Sequence, residues 1–463
     1  MTVLPATTTS LQRDPLTRRF GERLLLPGTI GYETARRIWN GAIDHRPTAI
    51  LRCADTDDVA AVVQLARGHH GPLSIRAGGH QVAGAAVIDD GIVADLSGMR
   101  TVDVDPEQQT VSVGGGALLA DLDRACDRYG VAVPAGVVSH TGVGGLTLGG
   151  GIGWLCRSQG LTCDSLIAAT VVDARGEVLE VSAQAHPDLF WALRGSGGNF
   201  GAVTRFTFRT RPIGPVVYGL RVIDLDHAAA ALARFHLIED ELPRELQVSL
   251  KFQRFAGHDV DADPSAEPVL TVEWLWSGPA DRTEQVCALM TLGPGEHTVR
   301  KRRFASVQSQ QDHRFPHGRN YYLKPGHLSH LDEHTVAMMV DAMRHAPGGD
   351  QQIEVMPLGG AITDVDEAAT AFPRRDARFA LNVTGGWQGG AGDDRVDWAR
   401  STHALLTRGG RSAYVNFVGA DGPSIEDIYG AAKANRLRAV KRRYDPDQVF
   451  NTALPIALRD PRP

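Results

Sequence analysis

Leu73-Ser74-Ile75-Arg76-Ala77-Gly78-Gly79-His80 reads as a short β-strand that passes directly into a glycine turn ending on a histidine. Upstream, Ala49-Ile50-Leu51-Arg52 is a second apolar run. Thr56 then precedes Asp57 and Asp58, residue types that favour the first turn of a helix, and Val59, Val62, Val63 and Ala66 follow at helical spacing. The segment is predicted as strand, helix, strand. A β-α-β unit that closes on glycines brings bare backbone amides to one point, where an anionic ligand can be held.

Downstream, strands are predicted at 92–96, 101–105 and 110–113 and a helix at 117–129. The densest glycine region follows, with 8 glycines between Gly136 and Gly153. Strands at 166–173 and 177–182, a short helix at 187–194, the loop Gly195-Ser196-Gly197-Gly198-Asn199-Phe200-Gly201 and an alternating strand at 202–210 complete this part. At Arg211-Pro212-Ile213-Gly214-Pro215 the character changes. Between 216 and 413, strands such as 247–252 and 269–276 alternate with amphipathic helices such as 227–238 and 330–344, an α+β pattern with an antiparallel sheet. The final stretch reads as a strand at 412–418, a helix at 425–444 and a tail.

A chain of 463 residues is expected to form two or three folding units. Its 43% hydrophobic and 22% charged content is that of a globular protein. A net charge of −6 and a pI near 6.3 give no electrostatic reason to expect nucleic acid as a partner. The basic runs at 300–303 and 441–443 read as solvated surface. Five cysteines without paired spacing are not a disulfide framework. No secretory h-region and no membrane-length apolar run is seen, so a cytoplasmic protein is expected.

Neither common nucleotide fingerprint is present: there is no P-loop, and no Gly-x-Gly-x-x-Gly lies between a strand and a helix. Three separated glycine clusters remain, at 77–79, 142–153 and 195–201. They are either tight turns or the walls of a site for a long, bent, pyrophosphate-bearing ligand, which backbone amides can approach closely where side chains are missing. A nucleophile elbow is absent, and adjacent Ser139 and His140 are not a triad. His327, His330 and His334 have helical spacing suited to a metal, but beside Asp332 and Glu333 they read as a surface helix, and no metal is expected.

Arg76-Ala77-Gly78-Gly79-His80 resembles the cofactor-attachment motif of the berberine-bridge-enzyme-like FAD-linked oxidases. These share the vanillyl-alcohol-oxidase fold with its PCMH-type FAD-binding domain, and the bacterial 6-hydroxynicotine oxidases look most similar. Gly142-Val143-Gly144-Gly145, Leu148-Gly149-Gly150-Gly151-Ile152-Gly153, Leu193 to Gly201 and Val203-Thr204 match later cofactor motifs. Further matches are Ala94 to Arg100, Gly318 to Lys324, Pro357 to Ala361, Ala371 to Asp376, Tyr414 to Phe417 and Lys441 to Pro446 with Phe450-Asn451. The resemblance implies a two-subdomain FAD-binding domain at 1–215, an α+β substrate domain with an antiparallel sheet at 216–413, and a segment at 414–463 returning to the FAD domain. It implies FAD bonded through its 8α-methyl to His80. It assigns cofactor contacts to Arg76, Ala77, Gly78, Gly79, His80, Gln81, Val138, Thr141, Gly142, Gly145, Gly149, Gly153, Asn199, Gly201, Val203, Asn416 and Asn451.

Three departures bear on chemistry. Val138 stands where many relatives carry a second, cysteinyl link, so a single bond through His80 is implied. Thr141 stands where a small apolar residue is expected beside the flavin's oxygen-reactive edge. Ala77 replaces the usual serine near the pyrophosphate.

The expected activity is hydride transfer from a small organic or natural-product substrate (alcohol, amine or phenol type) to FAD, with O2 as electron acceptor and hydrogen peroxide as product. A dehydrogenase with another acceptor, a redox-neutral cyclase and a non-catalytic flavin sensor are the alternatives. Neither nucleic acid nor membrane is expected as a partner, and the sequence carries no sign of an oligomeric state. Three residues are candidates for the base. Tyr414 is paired with Asn416 on a predicted strand, so that both point to one face. Glu354 is paired with Gln352, and an apolar pocket would raise its pKa towards that of a base. Tyr322 is paired with Lys324. His140 is a candidate for lining the pocket.

Overall fold

The computed structural model describes residues 15–69, 71–255, 266–450 and 452–458. The first sheet follows from the opening β-α-β unit. Ala49–Arg52, Ile92–Asp95 and Leu73–Arg76 run parallel in that spatial order, and Leu24–Leu25 adds antiparallel at one edge. Helix Thr56–His69 makes the crossover and buries Val59, Val62, Val63 and Ala66 in the core with Ala49, Leu51, Leu73 and Ile92. Strands covered on both faces are apolar throughout, which is why they read as short unbroken runs.

The second sheet is antiparallel, in the order Val102–Asp105, Thr110–Gly114, Ala202–Arg209, Leu166–Val172 and Val178–Ser182. Phe206 and Phe208 point inwards and Arg205 and Arg209 outwards, the alternation of a half-buried strand. The core beneath includes Ile425, Ile428, Leu437 and Val440 of the C-terminal helix Ile425–Tyr444. Beyond that helix, buried Asp445 accepts hydrogen bonds from the Val449 and Phe450 amides at 2.7 and 3.2 Å and from Lys441 Nζ at 2.5 Å. The Leu73 amide donates to the Val449 carbonyl at 3.1 Å, so the tail lies alongside the strand that leads to His80.

The third sheet has seven antiparallel strands, in the order Glu296–Arg302, Val216–Asp224, Pro268–Trp276, Leu246–Arg254, Gln352–Pro357, Phe379–Trp387 and Asn320–Leu328. Its outer face is apolar (Val248, Leu250, Phe252, Val272, Ile353, Val383) and packs against helices Ala228–His236, Glu333–Arg344 and Asp393–Thr407. Alternation sends Gln247, Ser249, Lys251, Gln253, Thr271 and Glu273 to the inner face, where all six are buried.

Three local expectations fail for identifiable reasons. Lys441, expected with Arg442 and Arg443 on solvated surface, is buried, because its ammonium is paired with Asp445 and donates to the Asn199 carbonyl at 2.6 Å. Residues 412–418 form no strand; a 3₁₀ turn, Val415–Phe417, replaces it. The Tyr414 and Asn416 side chains bond to the glycine loop after helix Val143–Leu148 and to the Leu146 carbonyl within that helix, so the segment is anchored by side chains and not by a ladder. The helix predicted over 330–344 begins at Glu333, where the Asp332 carboxylate caps the Thr335 amide at 2.8 Å. His327 therefore lies on a strand, and the three histidines share no helix face.

Candidate active site

At the end of Leu73–Arg76 the loop 77–81 meets, backbone to backbone, the turn 139–142 that leads into the short helix Val143–Leu148. A Cβ on Gly78 would lie 2.4 Å from the Gly142 nitrogen, and a Cβ on Gly142 2.5 Å from the Gly78 nitrogen. Only glycine at both positions permits this approach. The contact sets His80 against His140, with Nε2 of the first 3.2 Å from Nδ1 of the second. Trp39 stacks on the His80 ring at 4.3 Å with the planes 14° apart, and also stacks on Tyr321 at 4.0 Å. His317 stands 4.7 Å from the His140 ring. Asp312 fixes this loop by accepting from the Ser139 amide at 2.7 Å and from the Ser139 hydroxyl. Burial, reinforced by His140 and His317, holds the His80 pKa well below the ordinary histidine value. Burial also lowers those of His140 and His317. All three imidazoles are neutral at pH 7.

The same loops fit FAD. Among the described residues, the amides of Ala77 to Gln81 donate to no backbone carbonyl, a run of free donors of the kind that cradles a pyrophosphate. Arg76 Nε and Gln81 Oε1 are buried without partners, although the Gln81 amide nitrogen donates to the Val418 carbonyl at 2.7 Å. No protein atom lies within 4 Å of a Cβ built on Gly145 or Gly198, which leaves open space over those backbones.

The other expected cofactor residues divide by position. Thr141 follows His140, its amide donating to the Val138 carbonyl at 3.1 Å. Val138 itself is nearly buried, and its isopropyl side chain offers no thiol. Gly149 and Gly153 admit close neighbours, since a Cβ there would lie 1.9 Å from Asn416 Oδ1 and 1.8 Å from the Ala135 carbonyl oxygen. Gly201 backs onto Val171, and Val203 is buried within its strand. The Asn199 side chain bonds to the Ser196 and Leu454 carbonyls and the Ile456 amide, which ties the third glycine cluster to the C-terminal tail. Asn451 lies outside the described residues.

The three candidates for the base are placed very differently. The Tyr414 hydroxyl accepts from the Gly151 and Ile152 amides at 3.0 and 3.2 Å and from Asn416 Nδ2 at 2.8 Å. Burial pushes its pKa up to about 12, so it pins the glycine loop as a neutral phenol. Tyr322 faces the helix-covered side, donating to Asp421 at 2.5 Å and accepting from Arg400 at 2.9 Å. Its neighbour Tyr321, which the sequence reading passed over, is the residue on the inner face.

Glu354 lies on the inner face, in a polar setting and not the apolar pocket expected from sequence. It accepts from the Ser249 hydroxyl at 2.7 Å and sits 3.8 Å from Lys251 Nζ. Lys251 pairs more closely with Glu273, at 3.1 Å, and Gln311 donates to the same carboxylate at 2.6 Å. Burial acts to raise the Glu273 pKa, but Lys251 and Arg314 outweigh it and keep the group ionised. Gln253 accepts from Arg314 and Gln352 at 2.6 and 2.7 Å. Gln352 Oε1 and Asn382 Oδ1 remain buried and unpaired. Leu323, Thr384 and Gln352 are cross-strand neighbours on the face that Tyr321 shares, so the stack of Tyr321 on Trp39 joins the polar layer to His80.

The family described as FAD binding domain matches residues 47–182, and that described as Berberine and berberine like matches residues 413–457. An FAD-linked oxidoreductase of Pyricularia oryzae is 30% identical over 422 residues, covering 85% of this chain and 80% of that one. The chain belongs to the berberine-bridge-like FAD-linked oxidoreductases. Its berberine-bridge-like architecture is similar to that of 6-hydroxy-D-nicotine oxidase from Arthrobacter nicotinovorans, at 25% identity, a TM-score of 0.81 and coverage of 92% and 96% of the two chains. It is also similar in fold to the berberine-bridge-enzyme-like protein 1 of Physcomitrella patens, at 22% identity, a TM-score of 0.88 and coverage of 97% and 99%. As a member of these oxidoreductases the chain is an enzyme built on a PCMH-type FAD-binding fold, with segments 77–81 and 139–145 inside the first matched segment and Tyr414 and Asn416 inside the second.

Among the described residues no helix is long and apolar enough to cross a membrane, and no group of His, Cys, Asp or Glu is arranged to hold a metal ion. Trp39, His317, Lys251, Glu273 and Asn382 escaped the sequence reading. The alternation Gln247, Ser249, Lys251, Gln253 was the available signal for the polar face, but a half-buried strand with a wet side has the same pattern.

Proposed function

We propose that this chain is an oxidase that carries FAD covalently on His80, without a cysteinyl link. It oxidises a small organic substrate with a hydroxyl or amine at the reacting carbon, and O2 is the electron acceptor. The observation that carries this reading is His80, a neutral imidazole held between Trp39 and His140 at the end of five free amides. FAD supplies the hydride-accepting ring and the route of electrons to O2.

The chain supplies the rest. The amides of Ala77 to Gln81 and the Arg76 guanidinium are donors for the cofactor's phosphate and ribityl oxygens. Gln352 Oε1 and Asn382 Oδ1 accept from the O–H or N–H groups of the substrate. Glu354 takes the proton from the substrate hydroxyl or amine as hydride leaves, because Glu273 is locked by Lys251 and Gln311. Five free cysteines, four of them buried, support a reducing cytoplasm.

The test is acid precipitation of the purified protein followed by mass mapping of the flavin peptide. Flavin on the peptide that holds His80, and on no cysteine, is expected; a colourless pellet sinks the covalent reading. Thr141 favours a second reading, a dehydrogenase with another acceptor. Reoxidation of the reduced enzyme by air over minutes, in place of seconds, would select that reading.

A further inference from the structure

We propose that the cleft between the 313–321 segment and the ends of strands Leu246–Arg254 and Gln352–Pro357 is a carboxylate-binding subsite, where Arg314 holds the acid end of the substrate. The inference rests on the reading that the inner face of the seven-stranded sheet receives an oxidisable substrate. It adds a class to that reading: an organic acid whose hydroxyl or amine stands apart from its carboxylate.

Arg254, Arg314, Arg319 and Asp350 line the cleft, with Phe315, Tyr321 and Gln352 among its other walls. Among the described residues that line it, three guanidiniums meet a single carboxylate, and that one is engaged, with Asp350 Oδ2 3.1 Å from Arg319 Nε. Arg254 donates to the Ala266 carbonyl and Arg314 Nη1 to Gln253 Oε1, each at 2.6 Å. Among the described residues neither stands in an ion pair. Glu273 acts on Arg314 from further off and is already bound by Lys251 and Gln311.

A guanidinium carries five N–H groups in a planar fork, and the Arg314 side chain uses one of them. The Phe255 ring, 4.5 Å from the guanidinium carbon, and the bond to Gln253 fix its plane. The fork is thus set in advance for a two-pronged bond to a carboxylate, at little cost in side-chain freedom. Burial lowers the Arg314 pKa, since water that would offset the charge is kept away. A bound carboxylate supplies that counter-charge, and one open fork matches one negative charge.

The cleft is continuous with the face assigned to the chemistry. Gln253 accepts from both Arg314 and Gln352, and Gln352 Oε1 is the unpaired acceptor for the substrate hydroxyl or amine. Tyr321, on the cleft wall, begins the stack that runs through Trp39 to His80. One molecule can therefore place its acid on Arg314 and its donor on Gln352. Phe315 and Tyr321, with ring centroids 6.3 Å apart, offer aromatic walls for a flat apolar body between the two ends.

Calorimetry on the holoenzyme tests the subsite with benzoate, benzamide and inorganic phosphate as probes, in the wild type, Arg314→Met and Arg314→Lys. Benzoate is expected to bind the wild type at least about tenfold more tightly than either other probe. Arg314→Met should lose that preference. Arg314→Lys, which keeps the charge without the fork, should weaken benzoate binding at least about threefold. Benzoate bound no better than benzamide, or equally by wild type and Arg314→Met, overturns the inference. Phosphate bound as tightly as benzoate overturns its restriction to carboxylates. If Arg314→Met does not fold, Arg314→Lys decides, and unchanged benzoate affinity there overturns the inference. Anaerobic bleaching of the flavin by hydroxymethyl- and aminomethylbenzoates against their amides then tests the tie to the reaction. The acid of each pair should act at least about tenfold faster in the wild type, with the difference gone in Arg314→Met. Faster bleaching by the amides overturns the assignment to the substrate; if no pair bleaches the flavin, calorimetry alone decides. Benzoate binding in a protein without acid-stable flavin sinks the covalent reading alone, whereas acid-stable flavin without benzoate binding sinks this inference alone.

Discussion

The glycine loops and the inner face of the seven-stranded sheet line one site by opposite means. The loops work by omission: Gly78 and Gly142 let two backbones touch, and five amides are left without acceptors. The sheet face works by crowding buried polar side chains until most are answered by another, while Gln352 Oε1 and Asn382 Oδ1 are left over there. A backbone cradle suits a ligand that is always the same. A side-chain layer can be rewritten one residue at a time while its outer face keeps the same apolar core, which is how one fold serves many substrates.

That contrast can be broken first at its most expensive point. Lys251→Met leaves the buried Glu273 carboxylate without its ion-pair partner and is expected to lower stability by about 3–5 kcal/mol. Lys251→Met combined with Glu273→Leu should recover most of the loss; urea midpoints for the three proteins measure it. Gly78→Ala drives a methyl into the Gly142 backbone, and a loss of about 3 kcal/mol, the upper range for single substitutions, is expected together with weakened flavin binding. A protein that binds FAD normally after this change would mean that the two loops can part.

Glu354→Gln keeps the volume and the Ser249 contact, and a fall in kcat of about 10²-fold with little change in the urea midpoint is expected for loss of a base. An unchanged kcat would move the base elsewhere. Tyr414→Phe removes the acceptor shared by two loop amides and Asn416, for about 1–3 kcal/mol of stability. If kcat falls more than stability explains, the phenol is more than a pin. The smallest effect is expected for Tyr322→Phe on the helix-covered side, at most about 1 kcal/mol and no change in kcat, because a part-exposed hydrogen bond is lost.

The glycine-loop half of the candidate site was far more legible than the sheet half. A glycine whose missing side chain permits a contact is marked in the sequence by the glycine itself, so segments 77–81 and 139–145 could be read in order along the chain. Lys251 and Glu273 are 22 residues apart and meet only because Leu246–Arg254 and Pro268–Trp276 pair in one register. No spacing rule records a register. Tyr414 and Asn416 were singled out correctly as neighbours but on a strand that does not exist, because period-two spacing also fits a turn whose side chains reach the same loop. Tyr322 was chosen over Tyr321 for want of any signal saying which side of the strand the helices cover.

The Gly78–Gly142 contact also bears on how this chain can change over generations. Most tight contacts can be relieved by shrinking the partner, so that a second substitution rescues the first. Here each residue is closed off by the backbone of the other, and nothing smaller than glycine exists to make room. No compensating pair is available, and the two positions form a dead end for drift and for library design alike. Variation intended to alter the enzyme belongs on the sheet, where Ser249, Lys251, Gln253 and Glu354 meet side chains that can give way.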